Sequence, residues 1–221
     1  MSSDRVERRT FLQGTALTVL AAAGTLHARG SHAAPGWNGP VDLGAPPGGF
    51  NGSPAPISRN GSVDNVYVWG PDGSLWQLAW YDNRWHPWAR HDVPGKAGSA
   101  PAAGSIGPDH EHLFVRGSTD GSLWQKWWTG RSGWSGWVNL GAPPVGFFGW
   151  PTTISRNGSV ANVYVWGNDD GLWQLAWYDN RWHPWVRHND LAVGGKPGAG
   201  SMGPGHETVY VKGQNSHLWQ K

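Results

Sequence analysis

The sequence predicts an all-β fold, a β-propeller of four-stranded blades, and three observations carry that prediction. The segment from Ile57 to Trp88 is written again, almost unchanged, from Ile154 to Trp185, so that Trp69 returns as Trp166 and Trp76 as Trp173. Between the copies lies a more distant version, Leu113-Phe114-Val115-Arg116-Gly117 followed by Leu123-Trp124-Gln125-Lys126. A fourth version, Val209-Tyr210-Val211-Lys212-Gly213 followed by Leu218-Trp219-Gln220-Lys221, comes after the second copy. The unit is therefore roughly 45–50 residues long and two variants alternate as A, B, A, B; self-similarity on that scale marks stacked or circular repeats. Composition agrees. With Trp 18, Gly 34 and Pro 17 in 221 residues, the aromatics argue against disorder and the breakers against long helices, whereas short strands joined by tight turns suit both.

The elements read as follows. Residues 1–33 have the order of an export signal: the twin-arginine stretch Arg8-Arg9-Thr10-Phe11-Leu12-Gln13, the apolar run Ala16 to Ala23, and small residues at Ser31-His32-Ala33 before a cut. The apolar run is too short to span a bilayer, so the expectation is a protein secreted, or periplasmic, by twin-arginine export, with no membrane span in the mature chain. Residues 34–221 then hold the repeats: an outer strand over 36–47, blades over 50–95, 97–144 and 147–193, and a partial blade over 198–221. Within the first A unit, Ala55-Pro56-Ile57-Ser58 is extended and ends at Asn60-Gly61. Asn65-Val66-Tyr67-Val68-Trp69 alternates with period two, and Asp72-Gly73 turns into Leu75-Trp76-Gln77-Leu78-Ala79-Trp80. Tyr81-Asp82-Asn83 makes the next turn, and Arg84-Trp85-His86-Pro87-Trp88 begins the fourth strand. No apolar series at helical spacing escapes interruption by Gly or Pro, so almost no helix is expected. Gly36 to Pro47 matches Gly133 to Pro144, the outer strand of a B unit. Three whole units and two fractions are few for a closed ring, so either the chain belongs to a longer product or identical chains complete the ring as a homo-oligomer.

Once the leader residues Arg5, Arg8, Arg9, Arg29, Asp4 and Glu7 are set aside, the basic and acidic side chains balance and no basic stripe remains, which argues against nucleic acid as a partner. Cys is 0, so disulfide and thiol chemistry are excluded.

The motif Val-x-Val-(Trp/Arg/Lys)-Gly, then Leu-Trp-Gln, then Trp-x-x-Trp and Leu-Gly, resembles the PLL-like bacterial lectins. Val115 to Lys126 and Trp134 to Gly141 are the closest stretches, and the likeness runs over residues 36–221. The resemblance implies a seven-bladed propeller that binds fucose and O-methylated sugars in pockets between neighbouring blades. The chain departs from the pattern in carrying about half the blades and in having Trp69 and Trp166 where the motif has Arg.

Candidate ligand residues follow from the same comparison of units. Trp76, Trp124, Trp173 and Trp219 recur in every unit, as packing residues do. Trp80, Trp128 and Trp177 sit nearer the loops and are candidates for stacking on sugar rings. The position occupied by Trp69, Arg116, Trp166 and Lys212 changes with unit type. A pure core position would not exchange Trp for Arg and Lys, so it is expected at a pocket rim, where Arg and Lys donate to hydroxyls and Trp stacks. Arg59 and Arg156 stand in Ser-Arg-Asn-Gly of the A units only, so A-to-B and B-to-A clefts are expected to differ chemically.

His110-Glu111-His112, partly repeated at His206-Glu207, invites a metal reading, but Thr208 replaces the second His and no third ligand recurs, so neither metal nor cofactor is expected. The acidic residues at Asp72-Gly73, Asp120-Gly121 and Asp169-Asp170-Gly171 read as turn formers rather than as a hydrolytic pair. No nucleophile or phosphate-loop motif is present. The reading is an exported lectin without catalytic chemistry, binding glycans at repeated shallow sites. The alternatives are a hydrolase acting on polysaccharide or cell wall and a protein-binding adhesion scaffold. An acidic pair in one deep cleft would mark the hydrolase, and similar pockets repeated around the ring the lectin.

Overall fold

The computed structural model describes residues 38–221. The twin-arginine segment, with Gly36 and Trp37, lies outside the described residues. Among those residues every regular element is a strand, and no helix is long and apolar enough to cross a membrane.

Four antiparallel sheets form the blades of a β-propeller. Blade 1 holds β1 (Asn51–Arg59), β2 (Val63–Trp69), β3 (Leu75–Tyr81), β4 (Arg84–Trp85) and β5 (Ala89–His91). Blade 2 holds β6 (Ala102–Gly107), β7 (His110–Arg116), β8 (Leu123–Thr129), β9 (Gly133–Trp134) and β10 (Val138–Asn139). Blade 3 holds β11 (Phe147–Asn157), β12 (Val160–Gly167), β13 (Gly171–Tyr178), β14 (Arg181–Trp182) and β15 (Val186–Ala192). Blade 4 has three strands, β16 (Gly198–Gly203), β17 (His206–Lys212) and β18 (Leu218–Gln220).

In each complete blade the fourth position is two short strands placed end to end on the third, as β4 and β5 are on β3. Pro87 and Pro184 fall at the break in the A units, where a residue without N–H cannot continue the ladder. The hairpins form where the local chemistry asks for them. Asp82 and Asn83 take φ of 50° and 58°, and Asp179 and Asn180 repeat this at 51° and 57°, the left-handed pair of a type I′ turn. Asp72, Asp120 and Asp169 each accept a backbone N–H two residues on, at 3.0, 3.1 and 3.1 Å, so these carboxylates tie turns.

The described part of the expected outer strand at 36–47 is not a strand. Residues 38–46 carry no regular structure, and Val41 and Asp42 join no ladder. Their counterparts Val138 and Asn139 become β10 because Gln125 and Trp124 of β8 pair with them.

The core is a series of layers between adjacent blades. Leu75, Val93, Ala97 and Val115, with Trp69, Trp124 and Trp137, fill the space between blades 1 and 2. Phe114 and Leu123 meet Phe147, Val163, Val165 and Leu175 between blades 2 and 3. Tyr164 and Leu172 meet Val209 and Val211 between blades 3 and 4. Period-two alternation sends successive side chains of each strand to opposite neighbours, so blades 2 and 3 each contribute to two layers.

Candidate functional site

A cavity of about 550 Å³ lies between blades 1 and 2. Blade 1 supplies Arg59 from the end of β1, Asn65 from β2, Gln77 from β3, and Tyr81 and His86 from either side of the hairpin. Blade 2 supplies Asp109, Glu111, Trp128 and Trp134. Tyr81 and His86 lie parallel with ring centroids 3.4 Å apart, which makes a flat wall.

At the floor is a charged knot. Glu111 is fully buried and accepts from Arg59 Nε at 3.0 Å, from Asn65 Nδ2 at 2.8 Å and from the Tyr67 hydroxyl. Arg59 also donates from Nη1 to the Pro108 carbonyl at 3.1 Å and lies 3.9 Å over the Trp128 ring. A buried carboxylate is tolerated only when paired and hydrogen-bonded, and three donors meet that requirement. Burial, then the Glu111 charge beside it, pushes the Tyr67 phenol well above its ordinary range, so Tyr67 remains a donor. Next to this knot, His91 Nε2 donates to Gln77 Oε1 at 3.0 Å, which leaves Nδ1 to face Lys126 Nζ at 3.3 Å. Burial, with the Lys126 charge second, lowers His91 to about 4, so the ring is neutral at physiological pH.

The cleft between blades 3 and 4, about 230 Å³, repeats the plan with Arg156, Asn162, Tyr164, Gln174, His188 and Glu207. Glu207 accepts from Asn162 Nδ2 at 2.7 Å and from Tyr164 at 2.6 Å, while Arg156 stands further off at 3.5 Å. Tyr164 is raised by burial and then by Glu207, as Tyr67 is by Glu111.

The cleft between blades 2 and 3 is chemically different. Its cavity, about 320 Å³, is lined by His110, His112, Gln125 and Trp127 from blade 2 and by Trp177, Arg181 and Trp182 from blade 3. Trp182 Nε1 donates to Gln125 Oε1 at 3.0 Å, and the Gln125 amide donates to His112 Nδ1 at 2.9 Å. Burial, with His110 beside it, lowers His112 to about 3. A-to-B clefts thus hold an Arg–Glu pair, and the B-to-A cleft holds neutral imidazoles and indoles.

The expected site residues fall into three groups. Arg59 and Trp128 come together in the first A-to-B cleft, and Arg156 occupies the second. Trp177 lines the B-to-A cleft, while Trp80 stands with Trp85 in a groove of about 420 Å³ on the outer face of blade 1, their rings edge to face at 5.5 Å. The unit-dependent position is not at a cleft rim. Trp69 donates from Nε1 to the Ala97 carbonyl at 3.1 Å and packs in the layer against blade 2. Trp166 packs in the next A-to-B layer and donates to Asp170 at 3.3 Å. Arg116 lies 5.7 Å over the Phe147 ring, and Lys212 is exposed on the outer face of blade 4. Trp exchanges for Arg here because each residue packs on a different kind of next blade, one offering Ala97 and the other a Phe ring.

Sequence reasoning missed Glu111, Glu207, Asn65, Asn162, Tyr67 and Tyr164. The signal was present. Asn-Val-Tyr occurs in both A units and His-Glu in both B units, and i, i+2 residues on one strand face one partner. The strand splits His110-Glu111-His112 between two clefts, and no group of three His, Cys, Asp or Glu placed to hold a metal ion is found among the described residues.

No family model matches the chain, and no curated protein does. Solved structures do. The SapL1 lectin in complex with alpha methyl fucoside is 23% identical at a TM-score of 0.59, the match covering 77% of this chain and 58% of that one. AofleA from Arthrobotrys oligospora is 17% identical at 0.58, covering 77% and 53%. The Aleuria aurantia lectin, described as a six-bladed propeller with a novel fucose recognition mode, is 18% identical at 0.55, covering 72% and 52%. The chain has the β-propeller fold of these lectins. It spans between about half and three-fifths of their length.

Proposed function

We propose that the protein is a lectin that holds a sugar in each A-to-B cleft between blades. The observation that carries this reading is the aromatic-walled cavity over the Arg59–Glu111 knot, with a smaller cleft over Arg156–Glu207 that repeats its polar floor without the Trp walls. A cavity of this size accommodates a monosaccharide or small glycan, and ligand sites are characteristically apolar walls with a few fixed polar groups. Trp128, Trp134 and the Tyr81–His86 wall offer flat faces to the C–H side of a pyranose ring, and Arg59 and Asn65 lie where hydroxyls can bond. Fold neighbours crystallised with methyl fucosides, together with the PLL-like motif, support fucose or O-methylated sugars as the ligand class. The twin-arginine leader supports export to the periplasm or the medium, where glycans are met. Repeated weak sites give avidity that one shallow site does not.

The hydrolase reading rests on Asp109 and Glu111, which line the same cavity. Glu111 is committed to three donors, and the second cleft has Gly205 where the first has Asp109, so the carboxylate pair does not recur with the cavity. Repetition of the cavity without the pair favours binding over catalysis.

A glycan array followed by calorimetry with α-methyl fucoside tests the proposal. Binding that weakens about tenfold in Trp128→Ala is the expected result. No binding to any glycan, fucosylated and methylated ones included, overturns it.

A further inference from the structure

The cleft between blades 2 and 3 contains a directed chain of hydrogen bonds that ends on a donor with no protein partner. An indole N–H can only donate, so the bond from Trp182 Nε1 to Gln125 Oε1, at 3.0 Å, fixes which end of the Gln125 amide is oxygen. The amide nitrogen therefore donates to His112 Nδ1, at 2.9 Å. Burial holds this imidazole neutral, and a neutral ring that accepts at Nδ1 carries its proton on Nε2. His112 is 4% exposed, and its Nε2–H meets no acceptor among the described residues. A buried donor left unmet is costly, which makes this position a receptor for an acceptor atom.

A departure from the repeat adds a second unmet group. Thr153 of β11 packs on Gly104 of blade 2, and Ser155, two residues on, shares that face. In blade 1 the matching Ser58 donates to Asp64, its partner across the ladder, at 2.9 Å. In blade 3 Ala161 stands in the place of Asp64, and the buried Ser155 hydroxyl has no partner among the described residues. The same exchange removes a carboxylate, and the lining of the cleft contains no acidic residue. Arg181 stands in that lining, exposed and in no ion pair among the described residues. Trp127 and Trp177 supply flat faces in the same cavity of about 320 Å³. A metal ion does not fit on this imidazole, because Nε2 would have to give its lone pair and Nδ1 would have to donate, whereas Nδ1 accepts.

We propose that the cleft between blades 2 and 3 binds an acidic saccharide. Its carboxylate is held by His112 Nε2–H, the Ser155 hydroxyl and the Arg181 guanidinium, and its ring lies against Trp127 and Trp177. Carboxylate oxygens only accept, and N–H and O–H donors bond a charged acceptor more strongly than a neutral hydroxyl. The A-to-B clefts already have a carboxylate at the floor, Glu111 in one and Glu207 in the other. The two cleft classes thus sort sugars by charge. That the ring is a sugar rests on the lectin reading; that it bears a carboxylate rests on the donors of this cleft alone.

Calorimetry of the whole chain with methyl glucuronide and methyl glucoside, which differ only in a carboxylate against a hydroxymethyl group, tests the proposal. The glucuronide should bind at least about tenfold more tightly than the glucoside. Arg181→Gln, a change at an exposed position that spares the fold, should remove about that factor and leave the response to α-methyl fucoside as it was. No binding of the glucuronide, equal binding of the glucoside, or an affinity untouched in Arg181→Gln overturns the proposal. Binding of the glucuronide without any of α-methyl fucoside supports it and overturns the fucose reading of the A-to-B clefts instead, so the two fail separately. A second readout needs no ligand. The nitrogen–proton correlation spectrum of the imidazoles at neutral pH, with His112 assigned by its loss in His112→Gln, should show the proton on Nε2. A proton on Nδ1 overturns the proposal, because Nε2 would then accept rather than donate.

Discussion

The cleft between blades 1 and 2 and the cleft between blades 2 and 3 draw on the same strand, β7, and share no side chain. Glu111 points into the first, where Arg59, Asn65 and Tyr67 neutralise and bond it. His110 and His112 point into the second, where Gln125 and Trp182 fix one imidazole and burial keeps it neutral. Three consecutive residues thus give one cleft floored by a buried ion pair and one floored by neutral imidazoles, with Arg181 among its lining residues. The lesson is that in a propeller the unit of chemistry is the space between blades, and one strand writes half of two such spaces.

The largest expected effect breaks the charged side of that comparison. Glu111→Ala leaves Arg59 buried without its partner and Asn65 and Tyr67 with unmet donors, and removing one member of a buried ion pair costs about 3–5 kcal/mol. Denaturant unfolding should show a loss of that size, with Glu111→Gln losing less because the amide still accepts a hydrogen bond. His112→Gln should cost far less than Glu111→Ala, because it removes no charge.

Acid sharpens the comparison next. An unfolded histidine takes up its proton near pH 6.5, whereas folded His91 does so near 4 and folded His112 near 3. Between those values protonation favours the unfolded chain, so this contribution is complete above pH 6.5 and is lost as pH falls toward 4 and then 3. Thermal melts across that range should show the midpoint falling with pH, and His112→Gln should remove the more acidic part of the slope. A midpoint flat from pH 7 to 4 would contradict the buried neutral rings.

Trp128→Ala addresses the ligand side. If the charged cleft takes the sugar, loss of the indole should weaken binding about tenfold, or ~1.4 kcal/mol. Trp177→Ala, in the imidazole-lined cleft, then reports whether the second cleft class binds as well. The smallest effect is Trp69→Phe. It removes the hydrogen bond to Ala97 and should cost about 1 kcal/mol of stability while leaving glycan affinity unchanged. A change in affinity there would return Trp69 to the ligand.

The sequence made the blades legible and the clefts only partly so. The hairpin signals at Asp82-Asn83 and Asp179-Asn180 and the tie of Asp72 to its turn are local, and they form as read. Arg59 and Arg156 were singled out because they track the unit type, and both lie in A-to-B clefts. Trp69, Arg116, Trp166 and Lys212 track it too, yet they pack on the next blade or lie open, because variation by unit marks contact with a different neighbour as readily as contact with a ligand. Residues 36–47 read as an outer strand from a match to the B unit, but a strand exists only where a ladder forms, and among the described residues Val41 and Asp42 join none.

The sequence by itself determined the all-β class, the repeat length, the alternation of unit types and the turns, since each depends on residues close together along the chain. Only the tertiary structure decided that Glu111 belongs with Arg59 and Tyr67, and that His112, one residue away, belongs with Trp182. The pleat turns adjacent residues to opposite faces, and their partners come from neighbouring blades about one repeat away in either direction, so no local pattern pairs them.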